Sequence, residues 1–439
     1  MTLSSRQARR ELLDRLVTQD VGQCTFDGPL SEHNSWQIGG PADLLVEPGR
    51  ADQVAAVARF VNQFRIPLVV IGQGTNLLFD DAGLRGVVLK LGENFSAITI
   101  EDNRITAESG AWVPGLARKA MQAGLAGLEH TIGIPGTIGG LVLMNGGSQR
   151  QAIGENVRRV EVVSRAGELL ELSREECAFS YRRSALQGTG VVVVRVELEC
   201  ERQDPRQIRR MMLDDLRERR RKFPRKEPNC GSVFLSTSEM HASVGPPGTI
   251  IEEAGLKGAR IGDAEVSHQH ANFIVNHGNA SSADVLALIS HIRQVVDSRI
   301  GFELCCEVRY VSPEGVIMPA HRAGLRESNI FRFLLEEPEM IKPEILIETQ
   351  DVRVRIMTLE SGQATEWHYH TEITDRMFCL DGPVAVEYRN PDQRIELVNG
   401  QYCDVAVKRL HRVVNLTTRE ARYLLVQGVG RYDFNVVAE

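Results

Sequence analysis

The sequence lacks the features that mark membrane-spanning, secreted and nucleic-acid-binding proteins. No uninterrupted apolar run approaches the ~18 residues that cross a bilayer. The first 20 residues are polar and arginine-rich, without the apolar core of a secretory signal. The 51 Lys and Arg residues stand against 58 Asp and Glu, and the net charge of −7 argues against binding to nucleic acid by bulk electrostatics. We therefore expect neither a membrane nor nucleic acid as a partner.

A disulfide framework is also missing from the sequence. Eight cysteines are spread over 439 residues, and only Cys305 and Cys306 are neighbours. In a chain this long such a distribution does not predict structural disulfides. We therefore predict a cytoplasmic protein, and the length alone suggests about three domains.

The apolar periodicity predicts a mixture of helices and strands over most of the chain. The spacing of apolar residues predicts helices at 7–17, 51–64, 113–123, 205–222, 250–256 and 281–297. Short apolar runs predict strands at 44–46, 67–71, 157–163, 191–198, 271–276 and 307–310, and residues 229–234 predict a turn that enters a strand. Residues 312–343 are rich in proline and glycine and predict a linker, after which alternating residues predict a separate all-β domain at 344–439.

Two glycine-rich segments are candidates for binding a phosphate group. One is residues 124–147, where the glycines of 133–140 would let backbone N–H groups approach a ligand because no Cβ stands in the way. The other is residues 72–78, in which Thr75 and Asn76 add side-chain donors. Neither has the G-x-G-x-x-G pattern of doubly wound dinucleotide-binding folds. From glycine content alone, a tight loop between packed elements is an equally good interpretation.

Ordered motifs over about two-thirds of the chain resemble those of one enzyme family. In chain order they are Gln37-Ile-Gly-Gly-Pro-Ala-Asp43, Ile71-Gly-Gln-Gly-Thr-Asn-Leu-Leu78, Gly127-Leu-Glu-His-Thr-Ile-Gly-Ile-Pro-Gly-Thr-Ile-Gly-Gly140, Met144-Asn145, Ser180-Tyr-Arg182, Cys230-Gly-Ser-Val-Phe234, Ala254-Gly-Leu-Lys-Gly258, His270-Ala-Asn-Phe-Ile-Val-Asn276 and Glu307-Val-Arg309. This order resembles the MurB family, the UDP-N-acetylenolpyruvoylglucosamine reductases of peptidoglycan precursor synthesis. The short span from Ser184 to Val191 resembles the compact second subtype.

The resemblance implies an α+β fold with two cofactors. Residues 1–200 would form an FAD-binding region of the vanillyl-alcohol-oxidase (PCMH) type, with subdomains at about 20–80 and 81–200, and residues 201–311 a substrate-binding α/β subdomain. NADPH would reduce the flavin and leave, and a UDP-sugar would then bind in place of NADPH. The implied FAD-binding residues are Ile38, Gly39, Gly72, Gly74, Thr75, Asn76, Leu77, Gly133, Ile134, Pro135, Gly136, Thr137, Gly139 and Gly140.

The resemblance also implies a catalytic trio. Arg182 would bind the carboxylate on which negative charge develops, Ser232 would donate a proton to carbon, and Glu307 would act near that carboxylate. Each residue has a plain alternative: a surface arginine, a turn hydroxyl and a charge at a strand edge. The substrate-binding residues implied by the family are Tyr181, Lys222, Lys257 and Asn272. For the basic end of helix 205–222, a solvated helix face is the alternative.

Several positions depart from the family pattern. Leu235 stands where the family commonly has lysine, and Cys305-Cys306 replace a Glu-Pro pair just before Glu307. Asn34 and Gln37 replace a threonine and a basic residue. The expected reaction is formation of UDP-N-acetylmuramate. The departures leave open a reductase of another sugar-nucleotide or natural-product pathway.

A second set of motifs lies in the all-β region. Gly362, His368-x-His370, Asp375 and Gly382, followed by Gly400 and His411-x3-Asn415, resemble the signature of the cupin superfamily, with Asp375 in place of the usual glutamate. The resemblance implies a barrel in which His368, His370, Asp375 and His411 bind a divalent Fe, Mn, Ni or Zn ion. A metal-free barrel with histidines in its core is the alternative. The domain could serve catalysis, sensing or homodimer formation, which the ligand spacing does not distinguish.

Overall fold

The computed structural model describes residues 6–323, 344–348, 353–389, 392–398, 400–417, 420–428 and 435–436. The chain divides into two units, Met1–Arg332 and Phe333–Glu439. Helices and strands are both abundant in the first unit, whereas the regular structure described in the second is all β. The predicted α+β fold with an all-β tail is therefore confirmed.

The helices lie where the apolar periodicity predicts them, with two additions. They are α1 Arg6–Val17, α2 Ala51–Phe64, α3 Val113–Gln122, α4 Ile138–Leu143, α5 Pro205–Lys222, α6 Ser238–Ser243, α7 Pro247–Glu253 and α8 Ser282–Ile300. Helix α8 begins with a capping box, because Ser281 Oγ accepts the Asp284 N–H at 3.0 Å and Asp284 accepts the Ser281 N–H at 2.9 Å. The short helices α4 and α6 are not predicted by the sequence, since six residues are too few to show a helical period. Within the described residues, no helix is long and apolar enough to cross a membrane.

The strands of the first unit form five sheets. They are β1 Gln23–Pro29, β2 Pro41–Glu47, β3 Leu68–Ile71, β4 Leu77–Phe79, β5 Leu84–Lys90, β6 Ile98–Glu101, β7 Arg104–Glu108, β8 Leu125–Ala126, β9 Val157–Val163, β10 Leu169–Ser173, β11 Val192–Glu199, β12 Glu201–Arg202, β13 Arg260–Ile261, β14 Ala264–Val266, β15 Ile274–Asn276, β16 Arg309–Val311 and β17 Ile317–Pro319. The orders are β1-β2-β5-β3, β10-β9-β11-β7-β6, β12-β8, β13-β14-β15 and β17-β16-β4.

Three hydrophobic clusters hold most of the first unit together. Helices α1 and α2 bury Leu16, Val54 and Val57 against the first sheet. Helices α3, α4 and α5 pack on one face of the antiparallel β10-β9-β11-β7-β6 sheet. Helices α7 and α8 cover β13–β15, and this third cluster also takes in Trp36, whose Nε1–H donates to Ile274 O at 2.8 Å. The loop before β2 is thereby attached to the last part of the unit.

The small β17-β16-β4 sheet joins distant parts of the chain. Strand β16 pairs in parallel with β4, with Arg309 opposite Leu77, and antiparallel with β17. The predicted linker therefore begins too early: residues 317–323 are folded, and Ala320 and Ala323 are buried. Residues 324–343 of that prediction lie outside the described residues. At 229–234, where the sequence predicts a turn that enters a strand, Phe234 forms a single bridge, to Cys306, in place of the strand.

In the described residues of the second unit, the strands form two antiparallel sheets of five strands each. Its strands are β18 Glu344–Glu348, β19 Arg353–Leu359, β20 His368–Tyr369, β21 Asp375–Asp381, β22 Val384–Tyr388, β23 Gln393–Leu397, β24 Tyr402–Val405, β25 His411–Asn415, β26 Ala421–Gln427 and β27 Asn435–Val436. One sheet has the order β18-β19-β26-β21-β24 and the other β23-β22-β25-β20-β27. Alternate side chains of β26 are buried, as expected for a strand with one face toward a core.

Candidate functional site

A cavity of about 1800 Å³ lies in the first unit. Its wall includes the loop 72–77, the loop 133–137, the cavity-facing side of α5, residues 223–232 and the pair Glu307 and Arg309. Pockets for one small ligand commonly have about 300–1000 Å³. This cavity is therefore large enough for a dinucleotide together with a second molecule.

The two glycine-rich loops meet at one side of the cavity. A Cβ on Gly72 would lie 2.1 Å from Thr137 Oγ1, and one on Gly136, whose φ is +120°, would lie 3.1 Å from Thr75 Oγ1. Thr75 Oγ1 itself donates to Pro135 O at 3.4 Å. Side chains at the glycine positions would fill the gap between the loops, so backbone lines the cavity there. Such a cradle suits a pyrophosphate, which accepts hydrogen bonds from backbone N–H groups.

Most of the predicted cofactor residues line this cavity. They are Gly72, Gly74, Thr75, Asn76, Leu77, Gly133, Ile134, Pro135, Gly136, Thr137 and Gly140. Ile38, Gly39 and Gly139 do not line it, which corrects their predicted placement. Ile38 is buried in the cluster under α7 and α8, and a Cβ on Gly39 would lie 2.6 Å from Phe79 Cβ. These two residues lie behind the loop 72–77 instead of on its open side.

Gly139 and Gly140 have different tasks although they are neighbours in α4. The Gly139 N–H donates to Ser109 O at 2.9 Å, and a Cβ on Gly139 would lie 1.8 Å from Ser109 Oγ. Gly139 therefore allows α4 to approach the end of β7. Gly140 is exposed on the cavity side, and a Cβ there would meet only Thr137 Oγ1, at 3.8 Å.

The structure brings Arg182 and Glu307 together at the cavity wall. Arg182 Nε lies 3.0 Å from Glu307 Oε1, and both side chains are largely buried. Since this Nε–H has no hydrogen-bond partner among the described residues, the contact is an ion pair and not a hydrogen bond. Arg182 Nη2 donates to Gly147 O at 3.1 Å. The guanidinium is thus tied to the glycine-rich segment on one side and faces a carboxylate on the other.

Arg182 adopts an unusual backbone conformation. Ser180 and Arg183 exchange two backbone hydrogen bonds of 3.0 Å, and Arg182 is the third residue of this turn with a φ of +55°. That position in a turn with positive φ is normally glycine, and a larger residue there is strained by roughly 1–3 kcal/mol. Gln187 Nε2 donates to Arg182 O at 3.2 Å and helps to hold this conformation. Strain retained at a charged side chain in a cavity indicates a functional position.

Glu307 is held by its backbone on two sides. Its N–H donates to Val233 O at 2.8 Å, and its carbonyl accepts a bond from Asn76 Nδ2 at 3.4 Å. The Arg309 N–H donates in turn to Asn76 O at 3.1 Å. Burial raises the pKa of the Glu307 carboxyl, an effect that the Arg182 guanidinium opposes. The carboxyl is therefore poised to keep its proton at a higher pH than an exposed glutamate.

Ser232 lies beside these two residues on the cavity wall. It follows Gly231, whose φ is +76°, and precedes Val233, whose N–H donates to Asn272 O at 2.9 Å. Its hydroxyl has no hydrogen-bond partner in the part of the chain that the structure describes. All three residues of the predicted trio therefore line one cavity, with one hydroxyl available for a ligand.

The four predicted substrate-binding residues do not line the cavity. Asn272 is buried, and its amide group bonds the N–H and C=O of Phe234 at 2.9 and 3.0 Å, which makes it a structural clamp. Lys257 pairs with Glu252 at 2.6 Å. Tyr181 donates from its hydroxyl to Ser236 O at 2.9 Å, and the Lys222 ammonium lies over the Phe223 ring at 5.7 Å.

Arg219 is a cavity residue that the sequence analysis does not single out. It packs on Gly133, where a Cβ would lie 2.3 Å from its Cδ, and burial lowers the pKa of its guanidinium. A signal for it exists in the sequence. Ile208 and Met212 are the buried residues of α5, and continuing along this face by steps of four and then three residues leads to Leu216 and Arg219. The helical period thus separates Arg219 from Arg217, Arg221 and Lys222, which do not line the cavity.

A second site lies inside the β unit, where four buried side chains converge. The ligand atoms of His368, His370, Asp375 and His411 all lie within 4.8 Å of one another. Asp375 Oδ2 is 3.2 Å from His370 Nε2 and 3.3 Å from His411 Nε2. Two ligands of one first-row ion, each about 2.0–2.1 Å from it, are separated by roughly 3.0–3.4 Å. The donor set therefore fits a divalent metal ion.

Neighbouring carbonyls orient two of these four side chains, and burial affects the protonation of His368. The Nδ1 atoms of His368 and His411 lie 2.8 and 2.9 Å from the carbonyls of Glu366 and Arg409, which turns Nε2 inward. Asp375 Oδ2 and His411 Nε2 have no hydrogen-bond partner of good geometry within the described residues, although both atoms are buried. Burial, followed by the neighbouring His411, lowers the pKa of His368 to about 4, so its imidazole is neutral near pH 7.

The four side chains come from both sheets of the second unit. His411 lies opposite His368 on a neighbouring strand, whereas Asp375 begins β21 in the other sheet. The sequence analysis also missed Gln427, whose Nε2 donates to Asp375 Oδ1 at 2.8 Å. Gln427 is opposite Asp375 in the strand register, a relation that only the pairing reveals.

Comparison with known proteins gives consistent matches for the first unit. Residues 42–173 match the sequence model of an FAD binding domain, and residues 223–311 match that of the UDP-N-acetylenolpyruvoylglucosamine reductase C-terminal domain. The UDP-N-acetylenolpyruvoylglucosamine reductase 1 of Corynebacterium glutamicum is 49% identical over 295 residues, covering 67% of this chain and 88% of that protein. The corresponding reductase of Heliobacterium modesticaldum is 44% identical over 305 residues, covering 68% and 94%.

A solved structure agrees with these matches. The crystal structure of UDP-N-acetylenolpyruvylglucosamine reductase (MurB) from Thermus caldophilus is similar to this chain with a TM-score of 0.56 and 31% sequence identity. The match covers 66% of this chain and 98% of that one. The similarity therefore extends over almost the whole length of that reductase.

The two neighbouring glycines of α4 provide a matched test of the cradle. Gly139→Ala places a methyl group against buried Ser109, so we expect a loss of roughly 1–3 kcal/mol in unfolding free energy. Gly140→Ala has space, so we expect unchanged or slightly higher stability and roughly tenfold weaker FAD binding. Denaturant unfolding of the flavin-free protein and flavin fluorescence titration measure the two effects. Wild-type FAD affinity in Gly140→Ala would exclude Gly140 from the FAD site.

Proposed function

We propose that this chain, which belongs to the UDP-N-acetylenolpyruvoylglucosamine reductase family, reduces UDP-N-acetylglucosamine enolpyruvate to UDP-N-acetylmuramate. Its family makes it a flavin-dependent oxidoreductase with FAD as cofactor. The proposal adds NADPH as the reductant and the UDP-sugar as the substrate. All eight cysteines are free thiols, which agrees with the cytoplasmic location that we propose.

One arrangement carries the proposal. The Arg182–Glu307 ion pair and Ser232 line the same cavity. The two glycine loops give this cavity a backbone cradle, and its volume leaves room for a cofactor and a substrate. A cation, an acid with a raised pKa and an available hydroxyl are what reduction of an enolpyruvyl group needs beside a source of hydride. Bound FAD, reduced by NADPH, would supply that hydride.

Arg182 has the first task in the proposed reaction. Addition of hydride to the β-carbon of the enolpyruvyl double bond leaves an electron pair on the α-carbon, which spreads onto the carboxylate. The guanidinium is always charged and can bind that carboxylate through two N–H groups, which stabilises the developing charge. The turn that holds Arg182 at positive φ fixes the direction of this side chain.

Ser232 and Glu307 complete the proposed reaction. The Ser232 O–H would donate its proton to the α-carbon, so the double bond gains one hydride and one proton in total. A serine hydroxyl is a weak acid and acts only next to a strong base, such as this carbanion, in a site shielded from water. Glu307 in its protonated form would hydrogen-bond the enolate oxygen. This bond would favour the enolate over a carbanion with its charge localised on the α-carbon.

Replacing Ser232 separates the two half-reactions. In Ser232→Ala we expect flavin reduction by NADPH to keep its wild-type rate. Flavin reoxidation by the enolpyruvyl substrate should fall roughly 10²–10⁴-fold, because the proton donor is missing. Stopped-flow absorbance of the flavin measures both rates. Ser236→Ala, in the same loop but off the cavity wall, is the control. Equal loss of both half-reactions would contradict the proton-donor role.

The raised pKa of Glu307 predicts a pH dependence with a definite sign. A carboxyl with a raised pKa is protonated below that pKa, so its contribution is present at low pH and lost as pH rises through it. We expect the flavin reoxidation rate to fall on the alkaline side, approaching tenfold per pH unit. Glu307→Gln, which cannot ionise, should lack this limb. A rate that rises with pH in the same window would refute the protonated role.

Another sugar nucleotide as the substrate has less support than UDP-N-acetylglucosamine enolpyruvate. Leu235 and Cys305, which depart from the family pattern, contact each other through a Leu235 N–H to Cys305 O bond of 2.9 Å. Neither lines the cavity. NADPH oxidation by the purified protein with the enolpyruvyl UDP-sugar is the deciding measurement, and no turnover there would favour another sugar nucleotide.

For the second unit we propose a bound divalent Fe, Mn, Ni or Zn ion. The donor set of His368, His370, Asp375 and His411 supports it. We expect about one equivalent of metal in the wild type and roughly tenfold less in His411→Ala, by elemental mass spectrometry. His291→Ala, an exposed histidine on α8, is the control and should keep the metal. A wild-type protein that stays metal-free after incubation with these ions would contradict the proposal.

A further inference from the structure

The residue before Glu307 is hydrogen-bonded to a histidine that lies beyond residue 311, where the match to the family model ends. The Cys306 N–H donates to His321 Nδ1 at 2.9 Å. His321 belongs to the short helical turn Ala320–Arg322 after β17, beyond residue 311, where the matched family region ends. The residue immediately before the proposed catalytic carboxyl is therefore bonded to a segment that the sequence analysis assigned to a linker.

The segment before Glu307 is held at residues 304, 305 and 306 by three different parts of the chain. Arg293 Nε of α8 donates to Leu304 O at 2.7 Å, and the Leu235 N–H donates to Cys305 O at 2.9 Å. His321 accepts the next bond, from the Cys306 N–H. Cys306 is only 4% exposed, so water does not replace that acceptor. Loss of the acceptor would leave a buried N–H without a partner, which the chain would relieve by shifting.

The same turn also holds the residue after Glu307. The Ala320 N–H donates to Val308 O at 3.0 Å, so Ala320 and His321 bracket Glu307 on one side. On its other side the Glu307 N–H donates to Val233 O at 2.8 Å. Small shifts of this segment would therefore change where the Glu307 carboxyl lies relative to Arg182.

The chemistry of His321 suits the role of acceptor. A ring nitrogen accepts a hydrogen bond only when it carries no proton. Burial, assisted by the charges of Arg293 and Arg322, lowers the pKa of His321 to about 4. The imidazole is therefore neutral near pH 7, with its proton on Nε2 and Nδ1 open to the Cys306 N–H.

We infer that His321 is a positioning residue, which holds Glu307 in place for the reduction through the backbone of Cys306. This inference rests on the proposed function for the role of Glu307. The contact itself needs only the hydrogen bond and the burial described above. It extends the working part of the reductase past residue 311, to the turn that follows β17.

Two variants of the full chain test the inference. His321→Leu removes the acceptor and keeps most of the volume, whereas Asn in His321→Asn has an Oδ1 that can accept where Nδ1 did. We expect His321→Leu to slow flavin reoxidation by the enolpyruvyl substrate roughly ten- to a hundredfold. FAD content and flavin reduction by NADPH should stay at wild-type values, and His321→Asn should recover most of the lost rate. Arg322→Ala, the exposed neighbour, is the control.

Amide hydrogen exchange gives a readout that is independent of turnover. We expect faster exchange in the peptide spanning residues 303–308 in His321→Leu, and wild-type exchange there in His321→Asn. Unchanged exchange in His321→Leu, unchanged reoxidation, or equal slowing in both variants would overturn the inference. A wild-type protein that fails to reduce the enolpyruvyl substrate would instead contradict the proposed function, and the exchange result would still decide whether His321 holds this segment.

Discussion

The candidate active site depends on the parallel pairing of two three-residue strands, β4 and β16. Strand β4 follows the glycine loop 72–77, and β16 follows Glu307, so the pairing of Leu77 with Arg309 brings the carboxyl to the cofactor loop. Parallel strands of this length contribute few hydrogen bonds. The pairing is supported from outside by β17 and from behind by a cluster that buries Leu78, Val308 and Tyr310.

The ion pair at the cavity wall and the strained turn at Arg182 both depend on the pairing of β4 with β16. Arg182 can remain at positive φ because Gln187 and Gly147 hold it, and it meets Glu307 only because β16 is in place. Burial raises the pKa of Glu307, and the guanidinium limits that rise. A cation beside an acid with a raised pKa suits a reaction in which negative charge appears on a carboxylate.

The candidate metal site of the second unit is positioned by different contacts. Its four donors are fixed by strand register and by carbonyls and an amide behind them, such as Gln427 behind Asp375. Polar atoms buried at such a point, with no partner of their own within the described residues, are stable when a cation joins them. Histidines two residues apart, the first in β20 and the second just after it, explain why the sequence could indicate this site, whereas Gln427 depends on strand pairing.

The sequence by itself determined the local features: the helical periods, the capping box of α8, the glycine loops and the all-β tail. These follow from spacing and residue chemistry, which act over a few positions. The candidate trio and the four metal-ligand candidates follow instead from motifs that resemble those of the reductase family and the cupin superfamily. Only the tertiary structure decided which side of a loop faces the cavity. It shows that Gly140 and not Gly139 faces the cavity and that Ile38 lies in the core. It also shows that Arg219 lines the cavity whereas Lys222 does not. It also folded residues 317–323 back beneath Glu307, because strand pairing between distant segments leaves no periodic trace in either one.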